Sequence, residues 1–156
     1  MLNAYIPECE ADNDTLRGFL FAGSRVITIV GDLGAKRTGF AVSLLHEVIV
    51  RYHRSALVPS EFNFRYMNAP DSFEEMFTQR FREDDNTRPV MLSAQCLVLD
   101  DLDLLDDRYM KQVPQIIKSR FDKGAVTIVG VSSAALAQLE ATVIEPLLID
   151  GQTIVL

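Results

Sequence analysis

The segment Val26–Thr38 reads VITIVGDLGAKRT, an apolar run followed by Gly31, Gly34, Lys36, Arg37 and Thr38. Small residues, two cations and a hydroxyl in that order suit the chemistry of phosphate. A phosphate-binding loop follows G-x-x-x-x-G-K-[ST]. Counted from Gly31, Lys36 falls on the second glycine, Arg37 on the lysine and Thr38 on the hydroxyl position. In a working loop, glycines let successive backbone N–H groups curl around phosphate while a helix N-terminus is aimed at the same point. The lysine neutralises the outer phosphates and the hydroxyl holds Mg²⁺. Gly31, Gly34 and Thr38 can still serve, and Arg37 offers charge as a longer, planar fork rather than a point charge. Lys36 carries a backbone cost if its position needs positive φ. The bland alternative is a glycine turn joining strand to helix.

A second constellation is Cys96-Leu97-Val98-Leu99-Asp100-Asp101. Four apolar residues ending in two carboxylates make a Walker B pattern, in which Asp100 would orient Mg²⁺ and Asp101 would polarise an attacking water. Aspartates commonly end strands, so the pattern gains weight only from the glycine-rich loop upstream. A third is Thr127–Ser133, TIVGVSS, where Ser132, with Ser133 next, stands at the place of a sensor of the terminal phosphate. A plain helix N-cap explains the same serines equally well. Asp103, Asp106 and Asp107 read as helix-capping or surface acids. His46 and His53 have no Cys or carboxylate at metal-ligand spacing, and Cys96 reads as an inert core thiol. A receiver-like domain with Asp100 as phosphoacceptor is disfavoured by the want of a lysine beyond Lys123.

Elements must place these groups together. Arg25–Val30 reads as a buried strand and Gly39–Tyr52 as a largely buried helix. Arg54–Asn63 reads as a loop, with Phe64–Met67 the second strand and Ala56–Val58 its competitor. Asp71 or Ser72, each with a glutamate three residues on, caps a helix whose Phe73, Met76, Phe77 and Phe81 form a core-facing stripe. Arg82–Pro89 is expected to be an exposed loop. After the Cys96–Leu99 strand, a helix lies between Asp106 and Phe121, with Pro114 kinking it or marking its first turn and Gly124 as its C-cap. Ala125–Val131, Ser133–Glu140 and Thr153–Val155 read as strand, helix and strand. Alternating helices and unbroken apolar strands indicate a parallel sheet covered on both faces.

The chain of 156 residues, 48% apolar and 24% charged, suits one domain with a single sizeable core. Residues 1–24 read as an acidic arm or lead-in and residues 25–156 as the core. The net charge of −7 argues against independent nucleic-acid binding, which needs clustered Lys and Arg, although Lys36, Arg37, Arg51 and Arg54 make a local basic grouping. No apolar run approaches the ~20 residues of a membrane helix. The acidic N-terminus lacks the basic region of a signal peptide. Two cysteines do not make a disulfide framework, and a reducing cytoplasm is the expected setting.

The order of these pieces resembles the AAA+ P-loop ATPase core of bacterial helicase loaders and transposition helper ATPases, the DnaC/IstB type. The stretches that carry it are VITIVGDLGAKRTGFAVSLL, FRYMNAPDSFEEMFTQRF, CLVLDDLDLL and RFDKGAVTIVGVSS. The resemblance implies a three-layer α/β P-loop NTPase fold with a five-stranded parallel sheet of order 5-1-4-3-2. It implies Mg-ATP at the sheet's carboxyl edge, held by Gly31, Gly34, Lys36, Arg37 and Thr38. Thr38 and Asp100 would serve the metal, and Asp101 and Ser132 the chemistry. It also implies a protein partner, a replicative helicase or another replication or transposition protein, and allows a homo-oligomer. Departures accompany it: the loop lysine is replaced, the sensor asparagine is a serine, and ATVIEPLLIDG lacks the arginines used in trans. No helical lid is expected after the last strand, nor room for the loaders' N-terminal helicase-binding domain. Loss of a trans arginine alone costs orders of magnitude in hydrolysis. Weak or absent ATP hydrolysis is therefore expected, the alternative being a pseudo-ATPase interaction module without nucleotide chemistry.

Overall fold

The strand β1, Val26–Val30, is buried along its whole length, with Val26 and Val30 packed on one side and Ile27 and Ile29 on the other. That two-sided burial is what an unbroken β-branched run requires. The structure is a computed structural model that describes residues 24–32, 34–54, 63–78, 87–141 and 151–156. Helix α1 spans Ala35–Arg54, four residues earlier at its start than the apolar periodicity indicates, so Lys36, Arg37 and Thr38 lie in its first turn and not before it. Strand β2 is Phe64–Asn68; its competitor Ala56–Val58 lies outside the described residues.

Helix α2 runs Ala69–Thr78. Neither Asp71 nor Ser72 is its cap. The Oδ1 of Asn68 accepts from the N–H of Asp71, because Pro70 is tolerated in a first turn and the helix therefore starts before the acidic pair. Phe73 and Met76 are buried as expected, Phe77 packs against the core, and Phe81 falls outside the described residues. A helix α3, Thr87–Ser93, occupies part of what reads as an exposed loop. Pro89 sits within its first turn, where the missing N–H has no intrahelical partner to lose.

Strand β3, Cys96–Asp100, carries the acidic end, followed by a 3₁₀ turn at Leu102–Leu104. The single helix expected before Phe121 is two, α4 (Asp107–Met110) and α5 (Val113–Asp122), with Pro114 in the first turn of the second. Gly124 then takes φ +76, a left-handed turn that suits glycine. Strand β4 is Val126–Val131, helix α6 is Ser133–Glu140 and strand β5 is Gln152–Val155.

The described strands form one parallel sheet of order β2-β3-β4-β1-β5, the expected 5-1-4-3-2 read from its other edge. Register sets Val30 beside Val131 and Asn68 beside Asp100, so strand ends that carry polar groups meet at one edge. Helix α1 covers one face through Phe40, Leu44 and Val48 against Ile27, Ile29, Val98 and Ile128. Helices α2 to α6 cover the other against Val26, Leu97, Leu99 and Val129. No helix among the described residues is long and apolar enough to cross a membrane.

Candidate functional site

The carboxyl edge of the sheet gathers Arg37 and Thr38 from α1, Asp100 and Asp101 from the end of β3, and Asp103 from the turn beyond. Arg37 is 0% exposed. Its Nη1 donates to Asp103 Oδ2 at 2.6 Å and to the carbonyl of Gly31 at 3.2 Å, and its Nη2 donates to Asp101 Oδ1 at 2.9 Å. Its Nε lies 3.6 Å from Asp100 Oδ1 and has no hydrogen-bond partner. Burial alone would lower the Arg37 pKa. The bond and charge of Asp103, then the bond of Asp101 and the charge of Asp100, outweigh it and hold the guanidinium above its ordinary value.

Asp100 is equally buried. Its Oδ2 accepts from Thr38 Oγ1 at 2.6 Å and from the Tyr66 hydroxyl at 2.9 Å, while its Oδ1 accepts from the N–H of Asp101 at 2.9 Å. Burial, then the bond to Asp100, hold the Tyr66 phenol well above its usual value. Asp101 adopts φ 60, ψ 37, a left-handed conformation that costs a non-glycine residue energy but is tolerated best by Asn and Asp. Arg37 and the Asn68 amide, 2.8 Å from Asp101 Oδ2, fasten it there. Gly130 on β4 makes room for all this: a Cβ at that position would stand 2.3 Å from Asp100 Oδ1.

The expected site residues are thus distributed unequally. Arg37, Thr38, Asp100 and Asp101 are in direct contact. Gly31 contributes a carbonyl, and its own N–H donates to the Val131 carbonyl at 3.1 Å in the sheet ladder. Gly34 takes φ +148, a conformation open to glycine, and Lys36 is exposed. Ser132 is the N-cap of α6, its hydroxyl accepting from the N–H of Ala135 at 3.2 Å, and joins the cluster through its own N–H, which donates to Asp103 Oδ1. Ser133 is the exposed first residue of that helix. His46 lies on α1, and the side chain of His53 is outside the described residues.

One reading is corrected. Asp106 does cap α4, but Asp103 is neither cap nor surface acid: it bridges Arg37 to Ser132 at 14% side-chain exposure. Asp103, Tyr66, Asn68 and Gly130 are the members of the cluster that the sequence reading missed. Tyr66 and Asn68 alternate along β2, and the sheet order already puts that strand beside β3. Those two facts together signal that both side chains can reach the acidic end. The other buried charged residue among those described, Arg120, belongs elsewhere: it donates to Thr127 Oγ1 and to the carbonyls of Met91, Ala94 and Val126, all within 2.9 Å. Its role is to hold α3 and α5 to β4.

Whether Mg-ATP fits can be judged from these bonds. The cation in the lysine position is buried and bonded to carboxylates, and three acids surround one guanidinium. A triphosphate brought there would meet net negative charge. Among the described residues, no group of three or more His, Cys, Asp or Glu side chains is placed to hold a metal ion. In this arrangement the charge at the lysine position does not fit a triphosphate, whereas Thr38 and Asp100, the pair expected at the metal, stand 2.6 Å apart.

No protein-family model and no curated protein matches the sequence. Solved structures do match in shape. A DnaC helicase loader superposes with a TM-score of 0.68 at 21% identity, over 99% of this chain and 95% of the loader's. The fold is the three-layer α/β fold of that structure, with the parallel sheet between two layers of helices. A DNA replication initiation factor gives the same TM-score at 17% identity over 95% of this chain. DnaA from Aquifex aeolicus bound to AMPPCP gives 0.66 at 18% identity over 96%. The chain spans less than half the length of these two initiators, 46% and 45%. At such identities the likeness concerns architecture alone.

Proposed function

We propose that this chain is an AAA+-type core that acts through a protein partner in DNA replication, transfer or transposition, in the manner of a helicase loader, with ATP turnover weak or absent. The observation that carries the reading is the state of Arg37. It is wholly buried and spent on Asp101, Asp103 and the Gly31 carbonyl, so the charge a phosphate would need is already neutralised. The similarity to a DnaC helicase loader along nearly the whole chain supports the partner class, a replicative helicase or another replication protein. The AMPPCP-bound initiators among its structural neighbours support descent from a nucleotide-binding fold. The buried ion pairs favour the stricter form of the proposal, an interaction module without nucleotide chemistry. The local basic residues do not favour direct DNA binding, because Arg37 is unavailable to a phosphate backbone.

Thermal unfolding with and without millimolar Mg-ATP tests this. A ligand at 100 times its Kd stabilises by about 2.7 kcal/mol, so the expected outcome is no shift and no phosphate release above background. Tight binding that disappears in Asp100→Asn would overturn it. Co-purification with the replicative helicase from the same source is the matching positive test, and its absence with every replication protein tried would remove the partner assignment.

A further inference from the structure

We propose that the groove between α2, the turn after β3 and α4 is a docking site for a basic segment of a partner protein that carries a large apolar side chain. The proposal rests on the reading above, in which the chain acts through a protein partner, and names the surface that receives it. The groove holds about 250 Å³. Pro70 from the first turn of α2, Leu104 and Leu105 from the turn after β3, and Tyr109 from α4 give it an apolar lining. Three large apolar side chains are exposed among the described residues. Tyr66 and Val155 lie on the two edge strands, while Leu104 lines this groove at 57% exposure. An apolar side chain left in water beside a recess marks a contact surface.

The recess is preformed. Leu102 and Leu105 beside Leu104 are buried, and Asp101 and Asp103 are held by Arg37, so Leu104 is presented on a fixed backbone. The Tyr109 ring stacks on Phe77 at 4.6 Å and on Phe73 at 6.1 Å. A partner therefore meets a surface that needs little ordering on binding. Charge selects the occupant. Glu74 and Asp106 stand on the rim, and Asp71 and Asp107 are exposed beside them. Arg108 donates from Nε and Nη2 to the two carboxylate oxygens of Asp106, so that pair is neutral and the remaining rim charge is negative. An acidic rim repels the phosphates of nucleic acid and of anionic membranes. A second copy of this chain, at net charge −7, meets the same repulsion. A segment with one leucine-sized anchor flanked by Lys or Arg satisfies both the recess and the rim.

The test uses the whole chain and a fluorescein-labelled synthetic peptide with a central pair of leucines flanked by lysines, read by fluorescence anisotropy and amide shift mapping. The expected result is saturable binding that perturbs Glu74, Leu104, Arg108 and Tyr109. Leu104→Ala should weaken it at least about tenfold, near the weight of one buried leucine side chain. Glu74→Lys should weaken it at low salt and flatten its salt dependence. Both positions are exposed, so thermal unfolding should be unchanged and the loss reads the surface rather than the fold. Peptides with serine for leucine, or glutamate for lysine, should not bind. No binding of the basic peptide overturns the proposal, as does binding that neither substitution weakens, or equal binding of either control peptide. Self-association that disappears in Leu104→Ala also overturns it, because the groove would then serve a second copy. The replicative helicase separates this proposal from the reading it rests on. A helicase that binds wild type and both variants equally keeps that reading and removes the groove. Peptide binding at the groove without any helicase contact keeps the groove and removes that partner class.

Discussion

Arg37 differs from a lysine at the same position in how many partners it can hold at once. A guanidinium forks, so a single side chain reaches Asp101, Asp103 and the Gly31 carbonyl together. Arg37→Ala removes the positive partner of the buried Asp100, and breaking a buried pair from one side costs about 3–5 kcal/mol. Urea unfolding at neutral pH should show a loss of that order, with Arg37→Lys losing distinctly less because charge is kept. Equal losses in the two variants would mean that the fork, not the charge, carries the energy. Tyr66 provides a pH test. Its folded pKa is raised above the ordinary 10.0, by burial first and then by the Asp100 carboxylate. Its contribution to stability is therefore complete below pH 10 and is lost as the pH climbs toward the folded value. In a spectrophotometric titration one tyrosine should ionise late, and that late step should vanish in Tyr66→Phe. A missing step that falls near the ordinary pH 10 instead would show that the bond to Asp100 does not form in solution.

Elements hold these residues by different means on the two faces of the sheet. Helix α1 begins immediately after the loop, so its first turn delivers Arg37 and Thr38 side by side to the end of β3. Across the sheet, α5 delivers Arg120, whose burial pulls its pKa down to about 10. It satisfies the carbonyls of Met91 and Ala94 at the C-terminal end of α3 as well as Thr127 and Val126 on β4. Arg120→Met keeps bulk but strands these acceptors, at roughly 1–3 kcal/mol for each left unpaired. Chemical denaturation should register a loss of several kcal/mol, and amide exchange should quicken first in α3. A stable variant with unchanged exchange would show that α3 is held by its apolar side chains alone. Aromatic stacking secures α2 similarly, with the Phe77 and Tyr109 rings 4.6 Å apart.

At the scale of the molecule, the sheet is the rigid member against which the cluster is built. β3 and β1 are buried on both faces, and Cys96 at the start of β3 is a free buried thiol whose pKa burial pushes up to about 12. Such a thiol reacts only when the sheet opens. In a Cys9→Ser background, labelling of Cys96 should be slower than in denaturant by a factor on the order of 10³ or more, the usual weight of folding stability. Rapid labelling of the folded protein would mean that β3 frays independently, and the acidic end could then not be a fixed platform. The parallel order also explains why one edge collects the polar groups: every strand ends there, so residues distant in sequence share a short rim.

Much of this was legible in the sequence because it depends on local pattern. Unbroken apolar runs, a 3.6-residue apolar period over Gly39–Tyr52 and the serines at 132 and 133 specified the strands, the body of α1 and α6. With the resemblance to the AAA+ core they specified the sheet order as well. Elements that begin in polar or proline-bearing stretches, α2 and α3, were misplaced because first-turn prolines read as breakers until the partners of the neighbouring groups are known. Side-chain direction was the other limit. The sequence alone put a cation at the lysine position and acids after β3, and with them the pattern of a phosphate-binding loop. Only the tertiary structure decided that Arg37 turns inward to those acids, and that Asp103 joins them from the turn after β3. The physical reason is reach: register and helix start bring charges of opposite sign within 3 Å in a buried pocket, where an unpaired charge is too costly to persist.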